Sequence, residues 1–270
     1  MTPQLAGATG GALLLSLYGG FLLVLSASVT YRLERAERID FLLGEQLAAA
    51  HRRSEELLIN VLPMPIAERL KAGEQPIADQ LDEVSVVFAD IIGFTEIAAA
   101  LEPGQLIALL NEVFTRFDRL AELHGLEKIK TIGDAYMAVA GAPRAVPDHA
   151  VAAAEMALDF IEAVAAVQGP GGTSLAARVG IASGPAIAGV IGTHRFSYDL
   201  WGDTVNTASR MESHGASGRV HVADGTRRRL GDRYLFEDRG LIEVKGKGAM
   251  RTWLLLGRRG AAERPGSFTS

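Results

Sequence analysis

Between Val84 and Ile181 short apolar, β-branched runs alternate with longer helical stretches, and this order constrains the fold more than any other feature. Val84-Ser-Val-Val-Phe-Ala-Asp90 reads as a buried strand, after which Ile-Ile-Gly-Phe-Thr95 turns the chain towards a helix around Gln105 to Leu123. Gly133-Asp134 then separates Lys128–Ile132 from Ala135–Ala140, as the turn of a hairpin would. An alanine-rich helix from about Pro147 to Val167 and a strand near Ala176 to Ile181 follow. Strand, helix, hairpin, helix, strand is the split βαβ order, which predicts an α+β, ferredoxin-like (βαββαβ) domain with helices covering one sheet face. Beyond it come a glycine-punctuated stretch to Trp201, a helix from near Asp203, and short strands near Val220, Leu235, Ile242 and Trp253.

The segment ahead of this domain has a different character. Residues 1–31 carry no charged side chain, and Leu13 to Leu25 form an apolar centre, enough for a transmembrane segment of about 20 residues. Arg32, Arg35 and Arg38 follow at once, so the positive-inside bias predicts a cell-membrane anchor with the remainder cytoplasmic. A cleaved signal peptide is the rival reading; the basic start it wants is missing, although Ser26-Ala-Ser28 resembles a cleavage site. Over residues 32–76, Leu43, Leu47, Ala50, Ser54, Leu57 and Val61 recur at heptad spacing and predict a coiled-coil-like linker helix. An amphipathic helix lying on its own domain is the alternative. Pro63 and Pro65 are expected to end this helix, and Lys71 to Pro76 to form a linker, while residues 258–270 read as a disordered tail.

Composition narrows the chemistry. The 270-residue chain has a formal net charge of -5 and a pI of about 5.7, so nothing points to nucleic acid as a partner. It has no cysteine, which excludes disulfides, thiolate metal sites and thiol nucleophiles. Asp90 and Asp134 each fall at a strand end; if the hairpin pairs beside the first strand the two carboxylates meet, and a hard divalent cation would relieve their repulsion. Solvated, turn-forming aspartates are the alternative at this point. Asp203 is placed to cap a helix in which Asn206 and Arg210, four residues apart, share a polar face, with Val205, Ala208 and Met211 on the buried one. An amide beside a guanidinium can position a ribose and stabilise charge growing on a phosphoryl oxygen, or can be a plain surface pair. Lys130 and Asp199 offer one donor and one acceptor suited to the edge of a base, and Lys245 lies in a glycine turn from which an ammonium could reach polyphosphate.

Together, Phe88-Ala-Asp-Ile-Ile-Gly-Phe-Thr95, Lys128-Ile-Lys-Thr-Ile-Gly-Asp-Ala-Tyr-Met137, Gly180-Ile-Ala-Ser-Gly184, Tyr198-Asp-Leu-Trp-Gly-Asp-Thr-Val-Asn-Thr-Ala-Ser-Arg-Met211 and Val244-Lys-Gly-Lys-Gly248 resemble the class III nucleotidyl cyclases. The resemblance is greatest to the mycobacterial membrane-bound adenylate cyclases that are similar to the mammalian enzymes. It implies a catalytic domain over residues 77–257 that acts as a homodimer with two shared active sites. It implies that Asp90 and Asp134, assisted by the Ile91 carbonyl, hold two Mg²⁺ or Mn²⁺ ions. Lys130 and Asp199 would select adenine and hence ATP, Asn206 and Arg210 would act on the ribose and the transition state, and Lys245 would hold the terminal phosphates. The activity implied is conversion of ATP to 3′,5′-cyclic AMP and pyrophosphate. A guanylate cyclase and a catalytically silent nucleotide-binding homologue are the two alternatives.

Overall fold

The computed structural model describes residues 5–59, 62–192, 195–244 and 246–260. It divides into two compact units, Met1–Asn60 and Val61–Ser270. The first unit is a single helix, α1 (Leu5–Ile59). Along it, Ser26, Ser28 and Thr30 satisfy their hydroxyls by donating to carbonyls of the preceding turn. Among the described residues no helix is long and apolar enough to cross a membrane, and the expected transmembrane segment over residues 1–31 is not supported. Of the heptad positions, Leu43 and Leu47 are exposed on the helix surface; the side chains of Ala50, Ser54 and Leu57, and Val61 altogether, lie outside the described residues.

The second unit opens with α2 (Met64–Lys71), so a further helix begins at the prolines expected to end the first. α1 has already closed at Ile59, and Pro63 and Pro65 flank the first turn of α2, where a missing N–H costs nothing. There follow β1 (Ala78–Ile91), α3 (Phe94–Ala100), α4 (Pro103–His124), β2 (Glu127–Ile132), β3 (Ala135–Ala140), α5 (His149–Ala165) and β4 (Ala177–Ile191). Strand order β2-β3-β1-β4, with β1 antiparallel to both β3 and β4, is the expected ferredoxin-like arrangement. α4 starts with a reciprocal cap in which the Glu102 N–H donates to Gln105 Oε1 at 3.1 Å, and it stops at left-handed Gly125. It buries Val113, Phe117 and Ala121 against Ala153, Ala157 and Phe160 of α5 and against Val87, Ala89, Val179 and Ile181 of the sheet.

The rest of the chain extends the sheet. β5 (Ser197–Trp201) pairs with β4, then come α6 (Asp203–Ser213), β6 (Val220–Ala223), α7 (Asp224–Leu230), β7 (Tyr234–Val244) and β8 (Gly248–Arg258). β4 to β6 is a parallel contact, and β8 and β7 complete the edge. Three features depart from the sequence reading. The glycine-punctuated stretch is the continuing strand β4 followed by β5; Leu235 and Ile242 lie on one strand; and α7 has no counterpart in the pattern. Helices also cover both faces rather than one. Val179 and Ile181 point towards α5, so the alternation of a strand turns Arg178 and Gly180 to the opposite face, where α6 packs on β4 and β1. Gly180 makes that packing possible: a Cβ there would lie 2.0 Å from the Glu212 nitrogen and 2.5 Å from the Ala208 carbonyl oxygen of α6.

Candidate active site

Backbone pairing brings the two aspartates together. β3 lies antiparallel beside β1 with Ala89 opposite Tyr136, so the β2–β3 turn carrying Asp134 hangs over the end of β1 that carries Asp90. Gly133, at φ +64°, takes the left-handed conformation that this tight turn needs. The Asp134 carboxyl is pushed up to about 6, first by burial and next by its hydrogen bond and charge repulsion with Asp90. Backbone amides of Asp134 itself and of Ile91 donate to that carboxyl and oppose the shift. Like charges have thus been folded into contact at an edge lined by oxygen donors.

Such a donor set fits a hard divalent cation. Asp90 and Asp134 supply carboxylates, and the Ile91 carbonyl belongs to the same strand end. Among the described residues no three His, Cys, Asp or Glu side chains are grouped to hold a metal ion, so further ligands would be backbone, water or substrate phosphate, as Mg²⁺ commonly uses. The carboxylates have one cationic neighbour that the sequence reading missed. Arg178 lies directly opposite Asp90 in the β1–β4 register; its Nη2 donates to Asp90 Oδ2 at 2.6 Å and its Nε to Glu212 Oε1 at 2.5 Å. Burial raises the Glu212 carboxyl, and the Arg178 guanidinium pulls it back down. Arg178 was hidden because register is a tertiary fact. Its only trace in the sequence is its place two residues before Gly180, on the same strand face.

The second pair is arranged in the opposite sense. Lys130, on β2 beside a register shift, donates through Nζ to Asp199 Oδ2 on β5. The remaining Asp199 oxygen accepts the Leu200 N–H at 2.8 Å. This carboxylate is the more enclosed partner, with 16 % of its side chain exposed against 38 % for the lysine. Around it the β4–β5 ribbon presents apolar groups to solvent: Ile187 and Trp201 are cross-strand partners, and both are exposed.

Asn206 and Arg210 project from α6, Asn206 exposed and Arg210 half-buried, and among the described residues neither side chain has a hydrogen-bond or ion-pair partner. The buried stripe of this helix is Thr204, Thr207, Ala208 and Met211, while Val205, expected there, is only partly covered. Asp203 is not the cap; Gly202 holds that position, and Asp203 sits in the first turn, paired with Lys247 of the β7–β8 turn. Lys245, in the same turn, lies outside the described residues. The site residues therefore fall into three groups in one chain: Asp90, Ile91, Asp134 and Arg178 at the β1 end, Lys130 with Asp199 across β2 and β5, and Asn206 with Arg210 on α6.

Residues 77–257 match the adenylate and guanylate cyclase catalytic domain. The chain is 52 % identical over 218 residues to a protein named adenylate cyclase from Mycobacterium tuberculosis, covering 80 % of this chain and 49 % of that one. It is 41 % identical over 234 residues to the guanylate cyclase soluble subunit beta-2 of Rattus norvegicus, covering 86 % of this chain and 34 % of the relative. The chain thus spans about half the length, or less, of these curated relatives. Among solved structures, the catalytic core of a rhodopsin-guanylyl cyclase with converted specificity, in complex with ATPαS, superposes with a TM-score of 0.65 at 42 % identity, covering 67 % of this chain and 98 % of that one. The chain belongs to the family of adenylate and guanylate cyclase catalytic domains.

Proposed function

We propose that this protein is a homodimeric adenylate cyclase that converts ATP to 3′,5′-cyclic AMP and pyrophosphate. The observation that carries the reading is the Lys130–Asp199 pair, one cationic donor and one carboxylate acceptor held together before any ligand arrives. That combination complements an adenine edge, which offers both an acceptor and a donor. The 52 % identity to a mycobacterial protein named adenylate cyclase supports the same choice of nucleotide.

In the proposed reaction the ribose 3′-oxygen attacks the α-phosphorus. The bond from that phosphorus to the pyrophosphate oxygen breaks as the new ring bond forms, and the hydroxyl proton is released. Asp90 and Asp134, with the Ile91 carbonyl, would hold two Mg²⁺ or Mn²⁺ ions. When bound, such ions supply Lewis-acid activation of the hydroxyl and neutralise charge on the phosphates. Asn206 orients the ribose and Arg210 offers its unpaired guanidinium to the charge that builds on the phosphoryl oxygens. Lys245 holds the terminal phosphates.

The aspartates of one subunit serve with the base-reading pair and α6 of the other, so a symmetric dimer has two sites. Exposure of Ile187 and Trp201 on the strands next to Asp199 supports burial of this surface by a second copy. Membrane attachment through residues 1–31 forms no part of the proposal. The test is incubation of the protein with Mn²⁺ and either ATP or GTP, with Asp134→Ala as control. Cyclic AMP formed from ATP and lost in the variant is the expected result. Cyclic GMP as the main product would favour the guanylate cyclase reading, and no product from either nucleotide the silent homologue.

A further inference from the structure

Arg178 and Glu212 are a half-buried ion pair beside the carboxylate site, and Glu212 has no part in the reaction just described. Its side chain is 10 % exposed, and its backbone is fixed by packing rather than by any ligand. Gly180 receives the Glu212 backbone so closely that a Cβ at residue 180 would lie 2.6 Å from the Glu212 Cα. At the end of α6, a Cβ built on Gly215 would stand 3.4 Å from the Arg178 Cβ. The two side chains are therefore set against each other by the β4–α6 contact itself.

One guanidinium here faces two carboxylates, Asp90 and Glu212, and Asp90 in turn meets Asp134. A divalent cation at the aspartate pair competes with Arg178 for Asp90. An arginine free to turn would present two parallel donors to both Asp90 oxygens, the strongest arrangement open to it. Glu212 takes the Nε edge and so closes the side-on pairing through Nε and Nη2, leaving Nη2 to reach Asp90 through Oδ2 alone. We propose that Glu212 is a positioning residue which holds Arg178 edge-on and so keeps Asp90 available to a divalent cation. The inference rests on the metal-dependent reading above. Glu212 also lies beside Asp90, but among the described residues no three acidic groups are placed to hold a metal ion, so its role is assigned through Arg178 and not as a ligand.

The test measures Mn²⁺ binding by electron paramagnetic resonance on the full chain with 3′-deoxy-ATP, which lacks the attacking hydroxyl. Glu212→Gln is expected to weaken Asp134-dependent Mn²⁺ binding about tenfold, the lower end of what loss of a group supporting a metal ligand costs. Glu212→Asp, which keeps the charge on a shorter arm, is expected to lose less. In an Arg178→Met background the effect of Glu212→Gln should fall below about twofold, because the residue it acts through is gone. Unchanged Mn²⁺ binding in Glu212→Gln overturns the proposal, as does a loss that persists undiminished with Arg178→Met. Should Glu212→Gln fail to fold by circular dichroism, wild-type-like binding by Glu212→Asp paired with an unaltered Arg178→Met overturns it equally. Mn²⁺ binding by the wild-type protein that Asp134→Ala leaves intact would instead remove the metal reading itself.

Discussion

Lys130 and Asp134 stand four residues apart in one hairpin, yet the fold treats them in opposite ways. Lys130 meets a carboxylate whose second oxygen is also satisfied, so that pair is complete without a ligand. Asp134 meets Asp90, a like charge, and its carboxyl is pushed up to about 6. One end of the hairpin is a finished recognition surface and the other an electrostatic defect that a cation would repair. Defects of this kind mark functional sites more sharply than complete pairs, since structural stability alone gives no reason to keep them.

The largest effects should come from charged groups that have no oppositely charged partner in the free protein. Arg210→Ala is expected to lower kcat about 10²–10³-fold, the range for loss of one donor aimed at developing charge, with little change in thermal stability. Steady-state kinetics with Mn²⁺ and ATP would check this. Asp134→Ala should abolish metal-dependent turnover by about 100-fold or more, beyond the loss expected for a group that merely supports a ligand. In metal-free protein at pH 7, however, Asp134→Asn should raise the melting temperature, because it removes a repelled carboxylate.

The complete pair predicts smaller, more selective changes. Lys130→Glu combined with Asp199→Cys should erode ATP preference over GTP by roughly 10–100-fold, as one well-placed hydrogen-bonding pair is worth about 1–3 kcal/mol of discrimination. The ratio of kcat/KM for the two nucleotides reads this out. Unchanged discrimination would mean the base is read elsewhere.

The smallest effect is on pH dependence. Because Asp134 binds its proton more tightly in the fold than the ordinary 3.8, its contribution to stability is fully present below that value and is lost as pH rises towards about 6. A divalent ion offsets that loss, so added Mn²⁺ should raise the melting temperature more at pH 7 than at pH 5 in calorimetry. An equal gain at both values would contradict the account of the aspartate pair.

Much of this contrast was legible in the sequence. Strand order, the hairpin and both aspartates followed from apolar runs and turn residues, which are local signals. What escaped depended on long-range register or packing. Arg178 gains meaning only opposite Asp90, and β4 runs on through glycines because Gly180 and Gly189 receive α6 and the Ile77 carbonyl, not because the chain turns there. Pro63 and Pro65 signalled a helix boundary but gave no sign that a second, short helix begins there. The apolar amino-terminal run gave a strong membrane signal that the described part of α1 does not support.

The central claim is that the two halves of this hairpin serve two different sites across a dimer. Mixing Asp90→Ala with Arg210→Ala tests it most directly, since each variant alone should be inactive. Heterodimers should contain one intact site and recover cyclic AMP synthesis; no recovery in mixtures shown to contain heterodimers would contradict the shared-site account.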